Sequence, residues 1–501
     1  MNDGEPGGLA GFLLDHPGQP AEAVVHLVDG SCTLADLQHA AHGVAARLVE
    51  AGLAPDQSVA MVIDTGLEAL AVMFGCWIAG GVFIPLNGRL TGREITAAIE
   101  AMRPAMVVGK AEADESVGRL TASGSLTWTV DAPADAHAPR SEPGTAFIMR
   151  TSGTTGTAKP VVLSHDGVRD GIDTVLASLR STSKPRSEPR RAPMPNLIPS
   201  NLALWAGTWN ALFAFRAGAP VVLMDRFIAR DFATLVRRHG IRSGVLAPAM
   251  MTMLVEDPEV TDLDPLSMVR SITAPLTPAQ ARAFRAKFGV AIMNCYGQTE
   301  LGSEVVGWTP ADLREFGESK LGAVGRPHDN VEVRILDDDR HALGVDAVGE
   351  LWVRSPFVSS APEIADRLVD GFLQTGDLAH VDADGFLWLD GRMSDLINRG
   401  GLKVLPQEIE DVFRQANGVA DVCVAAVPDE RLGEVPVAWV RPVPGATLSP
   451  DALLEEARTA LAGYKVPVAV RVVDDLPRNE IGKVLRGELV SAWVAEQPTP
   501  R

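Results

Sequence analysis

Apolar residues recur along the first part of the chain with helix-like and strand-like periods in turn. The segment "TLADLQHAAHGVAARLVEAGL" places Leu37, Val44 and Leu48 on one face, which predicts an amphipathic helix. Thr33 is placed to cap the start of this helix, and Gly52 to end it. The runs "SVAMVI" and "GVFIPL" are almost continuously apolar and predict buried strands. The same rhythm returns at "GAPVVLM" and "SGVLAPA", so the pattern predicts an α/β fold with sheets covered on both faces.

The pattern changes after residue 320. The short runs "VEVRIL", "GELWVRS" and "GFLWLDG" are separated by Asp and Gly, which predicts a β-rich subdomain. Further on, "LPQEIEDVFRQANGV" predicts a helix that begins near Pro406 and opens a short α+β segment. A chain of 501 residues is also too long for one compact core. We therefore expect a large N-terminal domain over residues 1–391 and a small, mobile C-terminal domain over residues 392–501.

One uncharged run of 18 residues, "ALAVMFGCWIAGGVFIPL" at 69–86, is close to the length that can span a bilayer. Gly80, Gly81 and Pro85 interrupt it, so it predicts a buried helix, a turn and a buried strand. The amino terminus, "MNDGEPGG", has no basic segment followed by an apolar one, and so predicts no secretory signal. We expect a protein without a membrane span.

Charge and cysteine content narrow the classes of partner and compartment. The net charge of -19 repels phosphate backbones, so nucleic acid is not an expected partner. The four cysteines, Cys32, Cys76, Cys295 and Cys423, lie far apart and form no metal-ligand spacing, which indicates free thiols. These features favour a cytoplasmic protein, and we expect a monomer or a homodimer.

Glycines and hydroxyl residues surround one lysine in "TSGTTGTAK", directly after the apolar run "TAFIM". Glycines let backbone N–H groups approach an anion, and the hydroxyls of Ser152, Thr154 and Thr155 add donors while Lys159 adds charge. The loop is not a Walker A motif, because Ala158 and Pro160 flank the lysine. A flexible linker would have the same composition, but the apolar strand that enters the loop and the "VVLSH" that leaves it favour a loop that binds a polyphosphate.

Further motifs follow this loop in a fixed order. They are "NCYGQTE" at 294, "GELWV" at 349, "TGD" at 375, "GRMSDLINRGGLKVLPQEIE" at 391 and "PRNEIGK" at 477. Tyr296 offers a ring on which an adenine could stack, and Glu300 offers a hard oxygen for Mg²⁺. In order and spacing the set resembles the adenylate-forming superfamily of acyl-CoA synthetases, aryl-acid ligases, adenylation domains and luciferases. The resemblance covers essentially the whole chain.

The resemblance implies an ATP-binding site made by residues from several of these motifs. Nucleotide contacts are expected from Thr151, Ser152, Gly153, Thr154, Thr155, Gly156, Lys159, Thr273, Ala274, Pro275, Asn294, Tyr296, Gly297, Asp377 and Arg392. Thr299 is expected at the α-phosphate, Glu300 at the metal, and Asp377 with Arg392 at the ribose. Joining two anions needs a cation as charge builds, and the resemblance implies that Lys483 supplies it, with Lys403 as a further phosphate-neutralising cation.

An acid pocket is also implied, with residues Asn196, Asn201, Trp205, Trp209, Met250 and Met251. The bulk of these side chains favours an aromatic or short acid, although bulky residues at helical spacing also pack cores. The chain departs from the family pattern at Ser394 in the hinge, at Ile481 before the final "GK", and at Asn196, where an aromatic histidine is usual. The hinge itself is expected near Arg392.

Three functions are compatible with these residues. The leading hypothesis is a ligase that converts an acid and MgATP to acyl-AMP and pyrophosphate, then transfers the acyl group to coenzyme A or the phosphopantetheine of a carrier protein. The second is an adenylating enzyme that activates an unusual oxyanion such as nitrite, or that hands its adenylate to an amine. The third is a nucleotide-binding protein without catalytic activity.

Overall fold

The computed structural model describes residues 8–109, 118–124, 127–151, 159–179, 193–443, 445–478 and 484–496. Up to residue 392 its strands are β1 (Ala23–Leu27), β2 (Gly30–Thr33), β3 (Ser58–Ile63), β4 (Val82–Asn87), β5 (Met106–Val108), β6 (Gly118–Gly124), β7 (Thr127–Ala132), β8 (Thr145–Thr151), β9 (Lys159–Ser164), β10 (Asn196–Ile198), β11 (Val221–Leu223), β12 (Ser243–Leu246), β13 (Met268–Ser271), β14 (Ala291–Gly297), β15 (Glu304–Gly307), β16 (Arg326–Pro327), β17 (Glu332–Leu336), β18 (Gly349–Arg354), β19 (Leu368–Val369), β20 (Phe372–Val381) and β21 (Leu387–Arg392). The later strands are β22 (Ile397–Arg399), β23 (Leu402–Val404), β24 (Val419–Asp429), β25 (Gly433–Pro442) and β26 (Ala469–Val472).

The helices alternate with these strands. They are α1 (Gly11–Leu14), α2 (Leu34–Glu50), α3 (Leu67–Ile78), α4 (Gly92–Met102), α5 (His165–Leu179), α6 (Trp205–Arg216), α7 (Ala229–His239), α8 (Pro248–Glu256), α9 (Pro278–Phe288), α10 (Pro310–Phe316), α11 (Pro362–Ala365), α12 (Pro406–Gln415), α13 (Pro450–Ala460) and α14 (Arg486–Glu496). Two short 3₁₀ helices span Thr299–Leu301 and Met393–Asp395.

Local sequence explains where several of these elements begin and end. The Thr33 side chain accepts a hydrogen bond from the Asp36 N–H at the start of α2, so the predicted N-cap is confirmed. The uncharged run at 69–86 forms most of α3 and then β4, as predicted, because a turn at Gly80 separates the two. No helix in the described ranges is both long and apolar enough to cross a bilayer.

The described strands build five sheets. A seven-stranded sheet has the order β7-β6-β5-β3-β4-β8-β9, and a four-stranded one has the order β10-β11-β1-β2. A five-stranded sheet, β12-β13-β14-β15-β16, is parallel from β12 to β14 and antiparallel beyond. The fourth sheet runs β17-β18-β20-β19 with β21 on β20, and the fifth runs β23-β22-β25-β24 with β26 on β25. The predicted α/β fold with a β-rich subdomain and a small α+β part is therefore confirmed.

The buried cores of the chain divide near residue 392. The largest clusters of buried apolar residues before that point include Phe74, Phe232 and Leu351, whereas the clusters after it centre on Phe413 and Trp439. Because each region has its own core, the division supports our proposal of a domain boundary at residues 391 and 392.

Candidate active site

The predicted phosphate-binding loop connects β8 to β9. The two strands are antiparallel, and Thr151 pairs with Lys159 at the base of the loop. Lys159 is exposed at the first position of β9. Residues 152–156, which carry the predicted glycine and hydroxyl contacts, lie outside the described residues. The structure therefore fixes where this loop starts and ends.

The carboxyl ends of β13 and β14 bring two predicted nucleotide-binding segments together. Ser271 at the end of β13 pairs with Asn294 in β14, so Thr273, Ala274 and Pro275 follow β13 at the edge where Tyr296 lies. Ligands of open α/β sheets bind at this edge. Asn294 itself is buried and donates to the Gly322 carbonyl at 3.4 Å, so its amide is engaged with the neighbouring backbone.

Thr273 has an unusual backbone conformation with φ of 74°. A β-branched residue rarely adopts this left-handed conformation, and the strain amounts to about 1–3 kcal/mol. Local strain of this kind is commonly maintained where the chain must approach a ligand closely. The strained residue lies in the "TAPL" segment that the sequence predicts at the nucleotide.

Asp377 is the centre of a buried hydrogen-bond network. Its Oδ2 accepts from the Tyr296 hydroxyl at 2.7 Å and from Gln298 Nε2 at 2.7 Å. Its Oδ1 faces Arg392 Nε at 3.0 Å. The backbone N–H of Asp377 donates to the Thr375 hydroxyl, which fixes the carboxylate from behind. Strands β14, β20 and β21 thus converge on one carboxylate that is only 5% exposed.

The protonation of Tyr296 agrees with its place in this network. Burial, and then the charge of Asp377, raise the pKa of the phenol well above its ordinary value. The hydroxyl therefore stays protonated and donates to the carboxylate. Each carboxylate oxygen has two lone pairs. Oδ2 already accepts two donors and Oδ1 one, so Asp377 can accept one further hydroxyl without losing a partner.

Thr299 and Glu300 begin the 3₁₀ helix that follows β14. The Glu300 carbonyl accepts from the Ser359 N–H at 2.8 Å, and the Ser359 hydroxyl accepts from the Val162 N–H of β9 at 3.0 Å. Ser359 therefore ties the Glu300 segment to the strand that leaves the phosphate loop. This connection holds two of the predicted site segments at a fixed separation.

Glu300 is the predicted metal ligand, and its side chain is 19% exposed. Arg367 lies 4.0 Å from it, held by bonds to the Gln374 carbonyl. Among the described residues no group of three or more His, Cys, Asp or Glu side chains could hold a metal ion. A single carboxylate fits Mg²⁺, which usually retains waters and takes most other ligands from substrate phosphates. Glu300 would therefore hold it only together with a bound nucleotide.

The predicted acid-pocket residues lie in two separate core clusters. Trp205 and Trp209 in α6 pack with the large first core, where Trp205 meets Phe147 edge to face at 5.5 Å. Met250 and Met251 in α8 belong to a second core, and Met251 is fully buried. These residues have the packing role that bulky side chains at helical spacing usually have.

The two asparagines predicted for the pocket are engaged with backbone groups. Asn196 in β10 donates to the Asn210 carbonyl at 3.1 Å, and the buried Asn201 side chain accepts from the Ala203 N–H at 2.7 Å. Within the described residues the Trp209 indole N–H is buried without an acceptor. A donor left unpaired in this way is available to a ligand.

The region after residue 392 carries Lys403 and Lys483. Lys403 is exposed and lies 2.5 Å from Asp338, across the proposed domain boundary. Lys483 lies outside the described residues, but the ends of its segment are fixed. Arg478 and Val484 form an antiparallel bridge, and the Leu485 N–H donates to the Pro477 carbonyl at 2.8 Å.

Arg486 anchors the chain just beyond Lys483. Its guanidinium contacts Asp395 at 3.1 Å in the segment after Arg392 and Glu410 at 3.0 Å in α12. The chain that carries Lys483 is thereby tied to the predicted hinge segment. Besides the Lys403–Asp338 pair, a second contact crosses the proposed domain boundary: Arg441 lies 3.0 Å from Glu256.

Three contributors to this arrangement were missed by reasoning from sequence: Gln298, Arg367 and Arg486. Gln298 lies inside the "NCYGQTE" motif, so its motif position was a usable signal. Arg367 and Arg486 act on partners that only the tertiary fold brings near them, Glu300 for the first and Asp395 with Glu410 for the second, so their local sequence carries no such signal.

Comparison with known proteins agrees with the motif order. Residues 16–361 match the AMP-binding enzyme family, and residues 408–483 match the AMP-binding enzyme C-terminal domain. The chain is 30% identical to fatty acid–[acyl-carrier-protein] ligase ScoC of Streptomyces coeruleorubidus, covering 94% of this chain and 93% of ScoC. It is 31% identical to indoleacetate–CoA ligase of Aromatoleum aromaticum, with coverages of 96% and 97%.

Solved structures extend the match to the arrangement of the chain. ATP-bound MatB from Rhodopseudomonas palustris has a TM-score of 0.84 at 27% identity, covering 97% of this chain and 98% of MatB. Apo MatB has a TM-score of 0.73 at the same identity and coverage, so our structure is closer to the ATP-bound form. The amide bond synthetase McbA from Marinactinospora thermotolerans has a TM-score of 0.82 at 29% identity, with coverages of 97% and 99%.

These matches confirm the resemblance stated from sequence and the expectation of an AMP-forming ligase. They give no support to a nucleotide-binding protein without catalytic activity. The chain belongs to the AMP-binding enzyme family, the adenylate-forming superfamily, whose members activate a substrate with ATP and transfer it to a thiol or an amine.

Proposed function

We propose that this protein adenylates an aromatic or short carboxylic acid and then transfers the acyl group to a thiol, either coenzyme A or the phosphopantetheine of a carrier protein. The observation that carries the proposal is the network around Asp377. Tyr296, Gln298 and Arg392 converge there, at the sheet edge where Glu300 also lies. A buried carboxylate with one free lone pair beside an aromatic residue suits a nucleoside.

In this proposal ATP lies with its adenine near Tyr296 and its ribose at Asp377 and Arg392. The phosphates extend toward the loop between β8 and β9, where Lys159 and the hydroxyls of Thr151, Ser152, Thr154 and Thr155 neutralise and orient them. Glu300 would hold Mg²⁺, which supplies charge neutralisation at the phosphates when bound. Thr299 follows Gln298 directly and is proposed to contact the α-phosphate.

The first reaction joins the acid to the nucleotide. A carboxylate oxygen attacks the α-phosphorus, the bond from that phosphorus to the bridging oxygen breaks, and pyrophosphate leaves. We assign Lys483 to this step, because an ammonium offsets the charge that builds between the two anions. In the second reaction the thiol sulfur attacks the acyl carbonyl carbon, AMP leaves, and the thiol proton passes to solvent.

An amine acceptor is a second candidate, since the likeness to the amide bond synthetase McbA covers nearly the whole chain. An unusual oxyanion such as nitrite is a third, motivated by Ser394 at the hinge and Asn196 near the pocket. Both alternatives keep the same nucleotide site and differ in what enters beside it.

The test measures pyrophosphate release from ATP and Mg²⁺ with a panel of aromatic and short acids, using hydroxylamine to trap any adenylate. We expect release with at least one carboxylic acid, and product formation with coenzyme A or a phosphopantetheine thiol. No pyrophosphate release with any carboxylic acid, together with release in the presence of nitrite, would contradict acid activation. Product formation with amines but with no thiol would contradict the proposed acceptor.

A further inference from the structure

Three ionisable side chains form a buried cluster on the sheet β12-β16. Glu304 in β15 pairs with Arg270 in β13 through its Oε2, and its Oε1 lies 2.8 Å from His328 Nε2. Because the carboxylate is held by the guanidinium, it accepts, and the imidazole nitrogen donates. The Arg270, Glu304 and His328 side chains are 11%, 8% and 3% exposed, so water hydrates them little.

Strand register puts this cluster next to the nucleotide-binding edge. Glu304 pairs with Gly297, the residue after Tyr296, and Arg270 is followed by Ser271 at the end of β13. Successive side chains of a strand point to opposite faces. Cys295 therefore lies on the face opposite Tyr296, and its thiol donates to the Ser271 carbonyl at 3.2 Å.

Solvent reaches part of this face of the sheet. Arg270, Cys295 and Glu304 are only partly buried as residues, and Gly297 between them is exposed. Burial nevertheless lowers the pKa of Arg270 and raises that of Cys295. The polar groups of the cluster are therefore largely desolvated but still reachable from solvent on this face.

The glycines beside the cluster give its carboxylate room. A Cβ at Gly307 would fall 2.2 Å from Glu304 Oε1, so any side chain there would displace the carboxylate. A Cβ at Gly297 would fall 2.5 Å from the Ser303 carbonyl oxygen. Gly297 lets the neighbouring backbone approach, and the space beside Gly307 is filled by the Glu304 carboxylate and the His328 ring.

Stability does not account for a cluster of this kind. A buried ion pair commonly adds no stability over apolar residues of similar volume, because desolvation offsets the attraction. The cluster also retains bonding capacity. Each Glu304 oxygen has one partner described above and two lone pairs, so the carboxylate can accept two further donors.

We propose that Arg270, Glu304 and His328 form the polar end of the acid pocket and select acids that carry a hydroxyl or amino group remote from their carboxyl group. The inference rests on the proposed function, since it takes the face of β14 opposite Tyr296, where Cys295 and this cluster lie, as the place where the acid lies. Glu304 accepts the substrate's N–H or O–H, while Arg270 and His328 hold its carboxylate in place. An acid without such a donor leaves the buried carboxylate partly unsatisfied.

The experiment compares matched acids in ATP–pyrophosphate exchange: benzoate against its hydroxy and amino derivatives, and pentanoate against 5-hydroxypentanoate. We expect at least one donor-bearing acid to exceed its parent by about tenfold or more in kcat/KM, as loss of a bond to a charged group predicts. Glu304→Gln should reduce this preference to below about threefold, while the KM for ATP stays within about twofold. Glu332→Gln, at an exposed pair with Arg354, is the matched control and should change neither value.

The outcomes separate this inference from the proposed function. No exchange with any carboxylic acid contradicts the proposed function itself. Exchange with equal kcat/KM for parent and donor-bearing acids contradicts only the inference, and that result needs the wild-type protein alone, whether or not a variant folds. A folded Glu304→Gln variant that keeps the wild-type preference, or that loses turnover equally on all acids, also contradicts the inference.

Discussion

Two buried carboxylates, one on each side of residue 392, show how differently the two regions of this protein use charge. Asp377 has three side-chain partners and one lone pair left at the nucleotide-binding edge. Glu410 accepts from Arg414, from Arg486 and from the Val424 N–H. All of these lie after residue 391, in what we call the small region, and residues up to 391 form the large region. Both carboxylates keep one lone pair, but Asp377 has a single cationic partner and lies at the nucleotide-binding edge, whereas Glu410 is shared by two guanidinium groups away from that edge. We infer that the large region binds and the small region positions.

The histidines lie entirely on one side of residue 392. All ten precede residue 392. Burial lowers the pKa of His165 to about 4, and burial also lowers the pKa of His16, His26 and His239. As pH falls from 6.5 to 4, these histidines therefore destabilise the large region, and the small region contains no histidine that could do the same.

The largest effect is expected from Glu410→Ala. Removing this carboxylate leaves Arg414 and Arg486 without their shared buried partner, which should lower the free energy of unfolding of the small region by about 3 kcal/mol. Urea unfolding followed by hydrogen exchange of α12 and β24 measures this loss. The control is Glu455→Ala, because the exposed Glu455–Arg458 pair should contribute less than about 0.5 kcal/mol. Equal losses in the two variants would contradict the assigned role of Glu410.

The next largest effect is expected from pH. A histidine whose pKa is lower in the folded state binds fewer protons than it does unfolded, so its contribution is complete above pH 6.5 and is lost as pH falls toward 4. For His165, with a folded pKa of about 4, the loss reaches about 3 kcal/mol at most. Region-resolved hydrogen exchange at pH 7 and pH 4.5 should show weaker protection before residue 392 and little change after it. Equal weakening of both regions would contradict the comparison.

A smaller and opposite effect is expected from Thr273→Gly. Glycine adopts the φ of 74° without strain, but it also gains freedom in the unfolded chain, so the net stabilisation should be about 1 kcal/mol. Thermal unfolding measures it. Thr277→Gly is the matched control, because Thr277 has φ of -76° and caps α9, so that variant should lose a few tenths of a kcal/mol. Destabilisation by Thr273→Gly would show that the threonine side chain makes a contact worth more than the strain.

Local sequence patterns predict the helices and strands, and the ordered motifs predict the family. The cap at Thr33, the break at Gly80 and the strand–helix rhythm depend on neighbouring residues, so periodicity predicted them. The partner of Tyr296 lies 81 positions away, and the Arg270–Glu304–His328 cluster depends on strand register. Register is set by tertiary pairing, which a single sequence does not reveal.

The pocket residues illustrate the opposite problem. The resemblance places Trp209 and Met251 in segments that line the acid pocket, but bulky side chains serve cores and pockets alike, and the structure buries both in core clusters. Arg270, Glu304 and His328 lie outside the motifs, so the sequence pattern gives no signal for them. Buried charge, rather than bulk, distinguishes the Arg270–Glu304–His328 cluster from the core clusters.

The division between binding and positioning is tested most directly by measuring ATP affinity and acid-dependent pyrophosphate release together in Asp377→Asn and Lys483→Ala, with Lys465→Ala as the matched lysine control. We expect Asp377→Asn to weaken ATP binding by more than about tenfold, since a ribose bond to a buried charge is lost. We expect Lys483→Ala to bind ATP within about twofold of wild type but to release pyrophosphate at least about a hundredfold more slowly. Wild-type pyrophosphate release by Lys483→Ala, or parallel loss of ATP binding in both variants, would contradict the account.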